Sequence, residues 1–343
     1  MKINPKRFAM TPFLRSLQAT NFLAITAISA ILVNWPLGCC MSIAQETSDP
    51  SNPTANPWSI EPQVGKLILK HRGVALTVFH YQDDQCLRPF FSNVRTPSGT
   101  QVTRNYPPSP GVDPDDHADM HCGIWLGFGD IDGHDFWRNK ARIRHRRFLS
   151  EPILEADGIG FTSEDELIDP QGKSIGSLEQ AYRLTRIDSG CLLVWQAVFQ
   201  AGSEPLVFGD QEEMGLGVRV ATSMTEKNGG QILSSDGKTG AKETWGKKAQ
   251  WIDYSKTLDG KRTGILLMPD EKNPQPSWFH NRDYGLMVAN FFGNRSFTGG
   301  TPSVIRIEPN RSMALRYGVY WYESAVEEDL PIEKIRAAVE SNP

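Results

Sequence analysis

The sequence predicts an all-β protein, a large antiparallel β-sandwich closed by a short C-terminal helix. Three observations carry that expectation. Roughly fifteen to eighteen strand-length segments follow one another from residue 66 onward, each ending in Asp, Gly or Pro punctuation. Thirty glycines and 23 prolines accompany abundant aromatics, a composition suited to sheet with many turns. No βαβ rhythm, GxGxxG fingerprint or phosphate loop appears, which argues against a nucleotide-binding fold.

In chain order, the first segment reads as an export signal over 1–44. Lys2, Lys6, Arg7 and Arg15 supply positive charge, an apolar run spans Phe22 to Val33, and Ser42-Ile43-Ala44 offers a small-residue cleavage site before Gln45. The mature chain is therefore expected outside the cytoplasm, periplasmic or extracellular. Two alternatives are a retained membrane anchor and a lipoprotein starting at Cys39, although Pro36 sits where an aliphatic residue is usual for the latter. Residues 45–62, rich in Pro, Asn, Ser and Thr at their start, read as a flexible linker, and 63–343 as one sandwich domain.

Lys66 to Tyr81 alternates and breaks at Arg72-Gly73, which predicts a hairpin; Arg88 to Val94 and Gln101 to Asn105 flank Pro97-Ser98-Gly99 as a second. Gly123 to Gly129 reads as a buried strand. Ala141 to Leu149, Ile153 to Glu155, Gly160 to Ile168 and Leu178 to Ile187 continue the pattern, and Cys191 to Gln200 is apolar enough for a central strand. Leu206 to Phe208, Leu216 to Ala221, Ala249 to Tyr254, Thr263 to Met268, Gly285 to Phe292, Ser303 to Glu308 and Met313 to Tyr322 follow. Only the tail reads as helix: Pro331 starts a stretch with Ile332, Ile335 and Ala338-Val339 at helical spacing.

Removing 1–44 takes four of the 36 basic residues and none of the 40 acidic ones, leaving a net charge of -8. That argues against nucleic acid as a partner. No later stretch approaches membrane-span length, so no membrane contact is expected beyond the leader. Cys86, Cys122 and Cys191 allow at most one disulfide among them. GxSxG and HExxH patterns are absent, leaving serine-hydrolase and zincin mechanisms without support.

Chemistry-bearing residues gather in three stretches. The first, Asp115 to His121, places His117 and His121 four apart, a spacing that on a helix holds one metal; the preceding prolines favour a loop instead. The second, Gly209 to Gly215, puts Asp210, Glu212 and Glu213 close together, followed by Arg219; these carboxylates suit a general base or metal ligands. The third, Trp278 to Gly285, brings His280, Arg282 and Asp283 among aromatics and reads as a binding wall. The bland alternatives are a solvated loop, an acidic turn and a surface ion pair. Arg142, Arg144 and Arg146 would share one strand face, read as a guard on a sheet edge in preference to an anion site.

The runs HADMHCGIWLGFGDIDGHDFWRNK (117–140), GDQEEMGLGVRVA (209–221) and PSWFHNRDYGLMVANFFG (276–293) resemble the PmoA-like family, an often exported bacterial domain of unknown function. The resemblance covers most of 66–323. Two departures are Cys122 and Phe291, where the family pattern carries proline. A membrane methane monooxygenase subunit is not implied, because that needs several spanning helices. The resemblance implies a sandwich of the galactose-mutarotase type, in which a His and a carboxylate pair act as acid and base on a sugar ring. By residue type, His121, His280 and Glu212 or Glu213 stand in those catalytic places. Trp125 and Trp278 would stack on the ring, and Arg219, Arg282 and Asp283 would bind its substituents.

The expected function is thus a carbohydrate-active enzyme (an epimerase, lyase or hydrolase) taking a small molecule or glycan. Its alternatives are a non-catalytic glycan-binding module and an enzyme using a divalent metal at His117 and His121 with a carboxylate.

Overall fold

The structure, a computed structural model, describes residues 56–341. The signal expected at 1–44 and the linker up to residue 55 lie outside the described residues. Residues 58–62, read above as the end of the linker, instead belong to the first strand. Trp58 is the reason: it is 2% exposed, with its ring edge against His71 at 4.7 Å.

Trp58–Gln63 (β1), Lys66–His71 (β2) and Val74–His80 (β3) form a meander. Left-handed residues Gly65, Arg72 and Gly73 make its tight turns. Phe90–Ser92 (β4) follows, and a long loop over 93–123 leads to Ile124–Phe128 (β5). Four long strands come next as hairpins: Arg142–Leu154 (β6), Gly158–Ile168 (β7), Ser174–Ile187 (β8) and Gly190–Ala201 (β9). Leu206–Phe208 (β10), Met214–Arg219 (β11) and Gln231–Ser234 (β12) precede a one-turn helix, Gly240–Thr244 (α1). After Lys247–Lys248 (β13) the chain runs through Ile252–Leu258 (β14), Lys261–Pro269 (β15), Trp278–Arg282 (β16) and Leu286–Asn290 (β17). Asn294–Thr298 (α2), Ile305–Ile307 (β18), Ser312–Ser324 (β19) and Ile332–Ser341 (α3) end it. The helices α1 and α2 were not expected; five residues are too few to show a helical period.

Two antiparallel sheets face each other, as the sequence predicts. One has nine strands in the order β1-β2-β3-β4-β5-β11-β17-β16-β13, the other eight in the order β12-β14-β15-β19-β9-β8-β7-β6. Phe79, Phe91, Leu126, Phe128 and Phe279 of the first sheet and Phe161, Tyr182, Trp195 and Phe199 of the second contribute to one core. The outer faces are also covered at their centres. On the eight-stranded sheet, Ile335 and Val339 of α3 pack on Leu192, Val194, Tyr320 and Tyr322, each burial contributing about 1.5–3 kcal/mol. Gly318 permits that approach, since a Cβ there would meet Val339 at 2.4 Å. On the nine-stranded sheet, Phe90, Trp125, Leu286 and Val288 lie beneath Cys86, Cys122 and Trp137. Burial on both faces explains why β5 and β9 read as near-continuous apolar runs.

β6 is an edge strand, where Arg144 pairs with Glu166 at 2.5 Å and Arg147 with Glu164 at 2.6 Å. These cations on an unpaired edge fit the guard reading.

Candidate functional site

Sheet register brings the three stretches onto one face. His280 of β16 pairs with Val288 of β17, Val288 with Gly217 of β11, and Gly217 with Trp125 of β5. One step along, Arg282 pairs with Leu286 and Leu286 with Arg219. Residues paired in register point to the same side. His280, Arg282, Arg219 and Trp125 therefore share the outer face of the nine-stranded sheet, with β11 and β16 about 10 Å apart. Gly217 is required here: the Trp125 indole lies across it, and a Cβ would sit 2.6 Å from two ring carbons.

The first cluster is organised by two buried arginines. Arg104 donates from Nη1 to the carbonyls of Pro114 (3.1 Å) and Asp116 (2.7 Å), and from Nη2 to those of His117 (3.3 Å) and His121 (3.1 Å). The loop is wound around this one side chain. Arg219 donates from Nη2 to Asp116 Oδ1 at 2.9 Å, and its guanidinium lies 4.6 Å over the Tyr284 ring. Asp116 Oδ2 accepts from His117 Nδ1 at 3.0 Å. Burial pushes the Asp116 carboxyl up, but the hydrogen bonds from Arg219 and His117 outweigh it and hold it below its ordinary range. His117 has φ +52°, a left-handed conformation uncommon for a non-glycine residue.

His121 is 4% exposed and stacks between His117 (4.7 Å) and Trp125 (5.1 Å). Its Nδ1 accepts from Arg219 Nη1 at 3.4 Å, so its proton sits on Nε2. Burial, and then Arg219 and its neighbouring cations, drive its pKa well below the usual imidazole value.

The second cluster joins β16 to the 209–213 segment. His280 Nδ1 donates to Glu212 O at 3.2 Å, and its Nε2 accepts from Arg282 Nε at 2.8 Å. Arg282 Nη2 donates to Glu212 Oε2 at 3.0 Å. Burial, followed by the Arg282 charge, lowers the His280 pKa to about 4. Both ring nitrogens are committed and the ring is neutral. Asn290 fixes the segment by donating to Gln211 O (2.7 Å) and Glu212 O (3.0 Å).

Beside β16 opens a cleft of about 630 Å³, lined by Glu226, Lys227, Lys242, Trp245, Asn281, Arg282 and Asp283. Arg282 lies 5.7 Å from the Trp245 ring, and Lys227 pairs with Asp283 at 3.6 Å. Trp245 Nε1 and Asn281 Oδ1 have no hydrogen-bond partner among the described residues. Both atoms are shielded from solvent, and Asn281, paired in register with Met287, faces the opposite side of the sheet from Arg282. Tyr284 links cleft and first cluster: its ring stacks on His117 at 6.3 Å and lies 6.0 Å from Lys227 Nζ.

The expected site residues thus divide. Arg282 and Asp283 line the cleft, with Glu212 and His280 behind Arg282. His117, His121 and Arg219 form the neighbouring cluster, and no hydrogen bond joins His121 to His280. Glu213 points elsewhere, paired with Arg138, and Asp210 caps α2 through Arg295 N (2.8 Å) and Ser296 N (2.9 Å). Trp125 is 0% exposed and Trp278 6%, with Lys248 4.2 Å over the latter, so neither offers an open face for ring stacking. Trp245 and Arg104 escaped sequence reasoning as site residues, and Asn281 was given no role. An isolated Trp in a polar stretch is the only signal the first carried. Tyr284 stood inside the third stretch without a role.

The metal expectation is overturned. Among the described residues, no group of three or more His, Cys, Asp and Glu is placed to hold an ion. The His117 and His121 rings stack face to face, and Asp116 is engaged by Arg219 and Arg104 (3.4 Å), whose charges oppose a cation.

Residues 66–335 match the model of DUF6807, described as a family of unknown function. This corrects the PmoA-like resemblance. Among the described residues no helix is long and apolar enough to cross a membrane. No curated protein matches the chain. Among similar solved structures, a β-arabinopyranosidase has 10% identity and TM-score 0.39, with 72% of this chain covering 38% of it. An α-galactosidase from Geobacillus stearothermophilus has 14% identity and TM-score 0.41, with 78% of this chain covering 41% of it. A galactose mutarotase related enzyme from Lactobacillus acidophilus has 8% identity and TM-score 0.34, with 80% of this chain covering 100% of it. The chain spans about two-fifths of the two glycosidases, and likenesses this distant assign no residue a role.

Proposed function

The chain belongs to the DUF6807 family, whose function is unknown, and we propose that it performs acid–base chemistry on a sugar or sugar derivative held in the cleft beside β16. The observation that carries the reading is the Asp116–His117 pair, joined through Tyr284 to that cleft. A carboxylate accepting from Nδ1–H fixes the imidazole tautomer and leaves Nε2 as a base. Of the three imidazoles at the site, His117 alone has its acceptor nitrogen free of an arginine among the described residues. His117 is the proton-transferring group. His121 and His280 are positioning residues that orient Arg219 and Arg282. Glu212 shares Arg282 and sets its fork toward the ligand.

The cleft supplies the recognition. Trp245 offers an aromatic wall, Arg282 offers a polar group, and Lys227, Lys242, Glu226 and Asp283 ring the opening.

A panel of neutral sugars, uronic acids and short oligosaccharides, read by calorimetry for binding and chromatography for product, tests this. Trp245→Ala is expected to lose binding. His117→Gln is expected to keep binding and lose turnover by about 10²–10⁴-fold. A panel with no binder, or unchanged turnover in His117→Gln, defeats the proposal. Tight binding without product from the wild-type chain favours a glycan-binding module instead.

A further inference from the structure

Cys86 and Cys122 lie in one buried cluster with Phe90, Trp125 and Trp137, beneath the loops that cover the nine-stranded sheet. They come from different loops. Cys86 precedes β4, and Cys122 ends the loop carrying Asp116, His117 and His121. The two loops are laced together by backbone-directed side chains. Asn139 Nδ2 donates to Gln85 O (3.1 Å) and to Asp119 O (2.7 Å), and Arg88 Nη2 donates to Met120 O. Both thiols are buried in that cluster, and the framework of the two loops sets their approach. Cys86 also lines a cavity of about 200 Å³ together with Arg88, Arg142, Arg144 and His145. The arginines there favour a thiolate, and Asp83, which shares the lining, opposes it. Burial raises the Cys86 thiol, but the Cys122 hydrogen bond and the Arg88 charge outweigh it and bring it below the usual thiol range. Burial, and then Cys86, push Cys122 well up. The third thiol, Cys191, sits in β9 within the main core.

We propose that Cys86 and Cys122 form a thiol–disulfide pair whose closure ties the Asp116–His121 loop to the segment entering β4. The Cys86 thiolate attacks a low-molecular-weight disulfide that reaches it through the basic cavity. One thiolate leaves, and a mixed disulfide forms at Cys86. Cys122 then loses its proton and attacks the Cys86 sulfur, displacing the second thiolate. In sum, the two protein thiols give up two protons and two electrons, and the oxidant's disulfide is reduced to two thiols.

The full chain is incubated with oxidised glutathione, quenched in acid, unfolded, alkylated and mapped by peptide mass spectrometry. Cys86 and Cys122 are expected to vanish together from the alkylated pool and reappear as one linked peptide, with Cys191 still alkylated. Cys122→Ser is expected to accumulate glutathione on Cys86, whereas Cys86→Ser leaves Cys122 unmodified. Amide exchange over 115–122 is expected to slow on oxidation of the wild-type chain. Cys86 and Cys122 both still alkylated after oxidation, a linkage that joins either of them to another cysteine, or a Cys122→Ser variant that takes up no glutathione each overturn the proposal. None of these readouts depends on the ligand of the cleft.

Discussion

Lowering the pH from 7.5 to 5 is expected to destabilise the fold through two neutral histidines. His280 is held to about 4 by burial and then by Arg282, and His80 to about 4, chiefly by burial against Phe90 with Ser92 Oγ 2.9 Å from its Nε2. In the unfolded chain both return to about 6.5. Between those values the unfolded state binds more protons than the folded state, so stability rises with pH. The contribution is complete above the unfolded value and is lost as pH falls from there toward the folded one. A gap of about 2.5 units is worth about 3 kcal/mol per histidine, of which about 2 kcal/mol is gone by pH 5. Both side chains are at least nine-tenths shielded, at 10% and 4% exposure, so little solvent screening discounts these figures. Urea denaturation at the two pH values measures the loss. His280→Asn retains a donor for Glu212 O but cannot titrate. Its loss between the two pH values should be smaller than the wild type's by about 2 kcal/mol. Equal losses in the two proteins, or an NMR titration of the His280 ring centred near 6.5, would refute the reasoning.

Two further perturbations follow from the site's framework. Gly217→Ala places a methyl group 2.6 Å from the Trp125 ring, in a buried cluster with Phe90, Trp137 and Val288; overpacking of this kind costs about 1–3 kcal/mol, and a urea midpoint equal to the wild type's would contradict it. Arg104→Lys keeps the charge but cannot fork to the four carbonyls that Arg104 binds. The expected outcome is a loss of about 2–4 kcal/mol, with faster amide exchange over 114–121 as the local signature.

The sheet was legible where local pattern decides structure. The alternation in Lys66 to Tyr81, broken at Arg72-Gly73, is the β2–β3 hairpin. The near-continuous apolar run at 191–200 marks a strand with other strands on both sides and cover on both faces, which β9 is. α3 announced itself by its period. The strand β6 was read as two pieces because Pro152 interrupts it; an edge strand tolerates that proline, and register shifts beside it absorb the irregularity. Residues 222–251 carried no period of either kind, and they supply Glu226, Lys227, Lys242 and Trp245 of the cleft. The site was legible as three stretches but not as partners. Glu212 and Glu213 are adjacent in sequence, yet one meets Arg282 and the other Arg138. Such choices are made by residues 70 or more positions away.

The charges at the site are matched to one another, and this bears on the ligand. Arg219 and Arg104 answer Asp116, and Arg104 also feels Asp113. Arg282 answers Glu212, and Lys227 answers Asp283. Glu226 Oε2 accepts from Ala241 N at 2.9 Å. A ligand charge set against these groups would have to displace one of the pairs and leave its partner uncompensated, at a cost that grows with burial; the exposed Lys242 at the opening stands outside these pairs. A neutral ligand with many hydroxyls meets no such penalty. It can pack against the Trp245 ring that lines the cleft. The same balance accounts for the division among the histidines. Where an arginine donates into the ring, protonation would set two cations against each other, so His121 and His280 stay neutral and serve geometry. At His117 the neighbour is a carboxylate, which accepts from Nδ1 and leaves Nε2 clear of any arginine among the described residues, and the role proposed for His117 rests on that difference.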